Sequence, residues 1–581
     1  MVHQIKMSIY HKHMIMMTKT KSSPVLGLLI LGLLVGLLDY DYIEAIVEPD
    51  YPFLPFEIQT THFPPDFYFG TAIAAYQVEG AYNKSGKGPS IWDTFTHEHP
   101  ERIVDGSNGD VAVDFYNKYR EDIRLMSNEL GMNAFRFSIS WPRVIPSGRV
   151  SEGVNEEGIA FYNRVIDEAR MNGLEPFVTI FHWDVPQALE DKYGGFLSPR
   201  IVSDYKDFAE LCFERFGDRV KHWITLNEPY EFSMGGYEAG NSAPGRCSHW
   251  VNRACTDGDS STEPYIVGHH LILCHAEAVR LYRRKPWTSG SIGKIGITLD
   301  VTWFLPLTNS LDDIEAAHRS IDFKFGWFMD PINYGQYPLS MRTLVGARLP
   351  EFTWEQKQIV KNSYDFIGIN SYTSTYASSN FTPDPFPTHI RASTDPRVSL
   401  TYYKNGNPIG EQGTPDWLFV YPKGILDILT YTKHTYKDPL IYITENGIGD
   451  AVNLTRQETI KDKWRIDYHG GHLYYLRRAI CEYKVRVKGY FVWTLTDNLE
   501  WANGFSVRMG LYSVDRSSKE LTRTPKGSAE RFHYFLMKRD RQGNGGVAPI
   551  PLEDTCYIPI PIRPPPPVVA ANGTKVAHDE L

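Results

Sequence analysis

Two glutamates in this sequence stand in settings where carboxyl chemistry could be done. Glu228 lies inside Thr225–Leu226–Asn227–Glu228–Pro229, and Glu445 inside Ile443–Thr444–Glu445–Asn446–Gly447. Two carboxyl groups brought into one pocket can cleave a glycosidic bond. One protonates the leaving oxygen, and the other stabilises or traps the oxocarbenium-like anomeric carbon. Double displacement with net retention needs the pair ~5–5.5 Å apart. Arg136 and Tyr372 are expected to keep Glu445 ionised, through a guanidinium and a phenol, and its charge then raises the affinity of Glu228 for a proton. A lone glutamate at a strand end serves equally well as a salt-bridged structural residue. The agreement of the other strand ends is what favours chemistry.

Those ends belong to short β-branched or aromatic runs that alternate with amphipathic helical stretches from about Asp66 onward. The runs are Phe67–Ala75, Ala134–Ser140, Pro176–Trp183, His222–Asn227, Lys294–Leu299, Asp365–Asn370, Leu440–Glu445 and Lys488–Trp493. Eight strands separated by helices over so long a stretch predict an α/β fold, a single (β/α)8 TIM barrel with long βα loops. In such a barrel the reacting groups come from the C-terminal ends of several strands. Read in that frame, the ends present Gln77, Arg136, His182, Asn227 with Glu228, Tyr372, Glu445 and Trp493 at one mouth. This is a polar pocket with an aromatic wall, of the kind that suits a sugar. The Glu500–Trp501 pair, by itself, reads as a loop acid beside a core Trp.

The two glutamate motifs resemble the TxNEP acid/base and (I/V)TENG nucleophile motifs of family 1 glycoside hydrolases. The likeness extends through Arg136–Phe137–Ser138–Ile139–Ser140–Trp141, Phe181–His182–Trp183–Asp184 and Asp497–Asn498–Leu499–Glu500–Trp501, and covers roughly residues 62 to 537. The resemblance implies that Glu228 is the general acid/base and Glu445 the nucleophile. It further implies that Gln77, His182, Asn227 and Glu500 bind sugar hydroxyls, that Trp493 stacks under the ring, and that Trp501 adds a hydroxyl contact. Gly88–Pro89–Ser90–Ile91–Trp92–Asp93, Asp105–Gly106–Ser107–Asn108–Gly109–Asp110 and Ala243–Pro244–Gly245–Arg246–Cys247–Ser248 resemble plant members, which release aglycones from stored defence or hormone glucosides. The myrosinase subgroup carries Gln where this chain has Glu228. Many plant members place a Trp in the loop after strand six as part of the aglycone slot, and none occurs here between Ser371 and Asp416. The implied activity is a retaining β-glucosidase acting on small plant-metabolite glucosides. A transglucosidase would use the same intermediate, and a non-catalytic carbohydrate-binding scaffold would have signalled itself by losing a carboxylate.

The 581 residues are 42% hydrophobic and 22% charged, enough for a large core. A net charge of −9 lacks the basic face that a nucleic-acid binder needs. Lys19 and Lys21 precede the apolar run Val25–Leu38, too short for a spanning helix and suited to a signal peptide, so no stable membrane insertion is expected. The chain closes on His578–Asp579–Glu580–Leu581, an HDEL signal for the ER retrieval receptor, and an ER-lumen location follows. The expected organisation is a signal region at 1–45, an N-terminal arm at 46–61, the barrel at 62–537 and a proline-rich tail at 538–581. Six cysteines are present. Cys247 and Cys255 are the best disulfide candidates, while Cys212 and Cys274 fall in helical patterns as buried thiols. Glycosylation sequons stand at Asn83, Asn380, Asn453 and Asn572. No metal-ligand spacing and no cofactor motif is found. A homo-oligomer is compatible with the sequence, which carries no signal for or against one.

Overall fold

Each expected apolar run folds as a strand whose two faces are both covered. In the computed structural model these are β1 (Tyr68–Ala72), β2 (Ala134–Ser138), β3 (Glu175–Phe181), β4 (His222–Asn227), β5 (Lys294–Pro306), β6 (Phe366–Ser378), β7 (Ile441–Asn446) and β8 (Val487–Trp493). The structure describes residues 60–543 apart from 285–286, 288–292, 387 and 452–453. The helix Gly527–Gly543 runs past the expected barrel boundary at 537, and the run Val25–Leu38, residues 544–581 with the HDEL terminus and Cys556, and the sequons at Asn453 and Asn572 lie outside the described residues.

Neighbouring strands pair in parallel in chain order, and β7 pairs with both β6 and β8, so the sheet closes on itself. Helices return the chain between strands, among them Glu156–Met171, Ile201–Phe216, Glu263–Tyr282 and Lys463–Cys481. Ala134, Phe177, Ile224, Phe366, Tyr442 and Phe491 form one inner apolar cluster, with Trp493 and Met509 above it. A much larger cluster joins the outer strand faces to the helices. The barrel is thus a filled core, and a ligand would be held at its mouth, where the strand ends and loops meet.

Two strands depart from expectation in a way that shapes the site. β5 and β6 do not stop at Leu299 and Asn370, because the Thr-, Tyr- and Trp-containing stretches beyond those points continue to pair, from Trp303 with Ser374 to Pro306 with Ala377. A two-stranded extension therefore stands above the mouth, and Tyr372 belongs to a strand rather than a loop. β1 is shorter than the expected run. After Ala72 the chain turns into the helical turn Ala75–Val78, which carries Gln77.

Cys247 and Cys255 form a disulfide, with a Cα–Cα distance of 5.5 Å, in the long segment after β4. Cys212 and Cys274 are buried free thiols.

Candidate active site

Glu228 closes β4 at the point where strand becomes helix. Its backbone φ is +46°, and Pro229 opens the helix Pro229–Met234 directly behind it. Proline suits the first helical position, where no N–H is needed, but it disfavours the right-handed region for the residue before it. The left-handed turn at a non-glycine residue costs about 1–2 kcal/mol, which the surrounding contacts hold in place. The Glu228 N–H donates to Thr298 O on β5 at 3.0 Å. Its carboxyl Oε1 accepts from Asn370 Nδ2 at 2.6 Å, and Asn370 in turn accepts from Thr444 Oγ1 at 2.8 Å.

Glu445 stands at the end of β7, 3% exposed. Arg136 Nη1 donates to its Oε1 at 2.5 Å and Tyr372 OH to its Oε2 at 2.5 Å. The other guanidinium nitrogen, Arg136 Nη2, donates to Asn227 Oδ1 at 2.6 Å, so one side chain from β2 ties the ends of β4 and β7 together. The glycine of the second motif has a packing reason. A Cβ on Gly447 would lie 2.0 Å from Trp493 O, so any larger residue pushes β7 away from β8.

Burial and then the charge of Glu445 push the Glu228 carboxyl well above its ordinary range, and Asp300 adds to the push. Burial likewise lifts Glu500 to about 8. His182 is driven well below its usual value by burial and then by the Arg136 charge, so its ring is neutral. Asn227 Oδ1 already accepts from Arg136 and Asn370, so its Nδ2 is the donor to His182 Nε2, at 3.0 Å. The ring proton therefore sits on Nδ1, which has no partner among the described residues. Gln77 Nε2 donates to Leu499 O at 2.9 Å, leaving its buried Oε1 without a partner. One unused donor and one unused acceptor thus remain for the hydroxyls of a ligand.

The aromatic wall is built by Trp493, with the His182 ring 6.1 Å away at 26°, and by Trp501, packed 4.5 Å from Trp183. Trp493 Nε1 and Gln77 Nε2 both reach towards Glu500 Oε2, at 3.4 and 3.5 Å. The structure thus brings Gln77, Arg136, His182, Asn227, Glu228, Tyr372, Glu445, Trp493, Glu500 and Trp501 to one mouth.

The glycosyl hydrolase family 1 sequence model matches residues 59–541. The chain belongs to glycosyl hydrolase family 1. Beta-glucosidase 12 of Oryza sativa subsp. japonica is 54% identical over 478 residues, covering 82% of this chain and 92% of the relative. Raucaffricine-O-beta-D-glucosidase of Rauvolfia serpentina is 51% identical over 505 residues, covering 83% and 93%. A rice β-glucosidase mutant solved in a covalent complex with glucose superposes with a TM-score of 0.80 at 47% identity, covering 82% of this chain and 99% of that one.

Against this family frame, two features of the mouth were not foreseen from sequence. The stretch Ser371–Asp416 has no Trp, but the next residue is Trp417. Its ring stands edge-on 6.1 Å from Tyr372 and is 46% exposed, so a Trp does flank Tyr372 at the mouth. Asn370 is the second. It was visible only as a strand-end polar residue, and its bridging of Glu228 to Thr444 depends on a register that periodicity does not supply.

Proposed function

We propose that this chain is a retaining β-glucosidase that hydrolyses O-β-D-glucosides of small plant metabolites through a covalent glucosyl-enzyme. One observation carries the reading. Two carboxyl groups share a mouth in unlike surroundings, Glu445 accepting from two donors and Glu228 in a buried place that favours its proton. In the first step Glu228 gives its proton to the glycosidic oxygen as the C1–O bond breaks. A Glu445 oxygen bonds C1, and the aglycone leaves as a neutral alcohol. In the second step Glu228, now a carboxylate, takes a proton from water as the water oxygen attacks C1. The C1–O bond to Glu445 breaks, and both carboxyl groups return to their starting states. Around this exchange, His182 Nδ1–H and Gln77 Oε1 supply the unused donor and acceptor for sugar hydroxyls, with Trp493 under the ring.

The aglycone side is formed by Tyr372 and Trp417, which suits a flat or ring-bearing alcohol. One relative is named as the O-β-D-glucosidase of a single small-molecule glucoside, raucaffricine.

We place the enzyme in the ER lumen. The HDEL terminus, the disulfide and the exposed sequon residues Asn83 and Asn380 support that location.

Glu228→Gln tests the acid role. It should lower kcat/KM for glucosides with poor leaving groups by about 100- to 10,000-fold, and far less for activated aryl glucosides. Equal losses on both would refute the assignment.

A further inference from the structure

The helix that starts behind Glu228 carries Glu231 one turn further on, and there it meets groups from two other elements. Asp300 stands on β5, level with Asn370 in the β5–β6 pairing. Lys324 comes from the helical turn Asp322–Gly326, which continues the helix Leu311–Ile321. The Lys324 ammonium is 2.6 Å from Asp300 Oδ2, 2.7 Å from Glu231 Oε1 and 4.3 Å from the ring centre of Tyr230. The Lys324 and Asp300 side chains are 14% and 8% exposed, and that of Glu231 is 42%.

A partly buried cluster with two acids and one base is weak evidence for stability. Apolar residues of similar volume often pack there at no loss. Its place gives it another use. The charged and titratable groups that face Glu228 are Glu445 from β7, Asp300 from β5, Tyr372 from β6 and Glu231 on its own helix. Lys324 and the Tyr230 phenol stand behind Asp300 and Glu231. When Glu445 becomes an ester it carries no charge, and burial together with the Asp300 and Glu231 carboxyl groups remains to hold the affinity of Glu228 for a proton.

We propose that Asp300, Glu231 and Lys324 form a positioning cluster for the acid/base residue, in which Lys324 pins two carboxyl groups beside Glu228 so that a negative charge faces it in both halves of the reaction. The inference rests on the retaining reading given above. Asp300 itself is lifted to about 7, by burial first, against the pull of Lys324. Below that pH it is protonated and adds no charge. Above it the carboxylate opposes loss of the Glu228 proton, so the cluster acts on the alkaline limb, where an acid catalyst is being lost.

The test is the pH profile of kcat/KM on a glucoside with a poor leaving group. Asp300→Asn should move the alkaline limb to lower pH by about half a unit or more, a threefold or larger change in proton affinity. Glu231→Gln, at an accessible position, should move it the same way by less, and keeps the test open if Asp300→Asn does not fold. Lys324→Arg should leave the limb at its wild-type position. An even loss of activity across pH in both carboxyl variants, with no movement of the limb, would overturn the proposal and leave a structural role. Glu228→Gln is the control. The alkaline limb should vanish in it, and a persisting limb would count against the acid assignment itself, separately from the cluster.

Discussion

Arg136 holds three strand ends at once, through Glu445 and the Thr444 carbonyl on β7, Asn227 on β4 and Thr179 on β3. Arg136→Met would strand a buried carboxylate, and breaking one side of such a pair costs about 3–5 kcal/mol. A denaturant melt should show that loss together with loss of turnover. Glu500 offers a cleaner titration. Its folded value of about 8 lies above the ordinary 4.5, so the native state binds the extra proton. Stability from this group is present below about 4.5 and is lost as pH rises towards 8. Glu500→Gln should therefore narrow the fall in melting temperature between pH 5 and pH 8, and an unchanged fall would remove the assignment. The two motif glutamates are legible in the sequence because their neighbours constrain them. Asn-Glu-Pro makes a strand-to-helix turn, and Thr-Glu-Asn-Gly needs a glycine under the Trp493 carbonyl. Asp300 and Lys324 were not legible. Each looks like an ordinary charged residue until the fold brings them to 2.6 Å.

At the scale of elements, the eight barrel strands could be read because each is a short apolar run covered on both faces. Where a strand leaves the barrel that signal stops. The extensions of β5 and β6 pair with each other as mixed polar and aromatic residues, so the apolar runs end short of the strands. Trp417 sits beyond that extension, close to Tyr372 only because the long segment after β6 folds back over the mouth. Trp417→Ala should raise KM for flat aryl glucosides by about 3- to 10-fold, the worth of one aromatic contact at roughly 0.5–1.5 kcal/mol, with kcat little changed. An alkyl glucoside should be affected less. Equal effects on both would place Trp417 outside the aglycone slot.

Over the whole molecule, closure of the sheet is what makes the site. β4 and β7 are far apart in sequence, yet Arg136, Asn370 and Thr444 link their ends across the mouth of a filled barrel. The same closure brings Glu228 and Glu445, both buried, to one mouth. The most direct measurement is to expose the enzyme to a 2-deoxy-2-fluoro-β-glucoside with an activated leaving group and locate the adduct by peptide mass spectrometry. The account predicts one fluoroglucosyl group on the peptide containing Glu445. An adduct on Glu228 or elsewhere, or full turnover with no adduct, would contradict it.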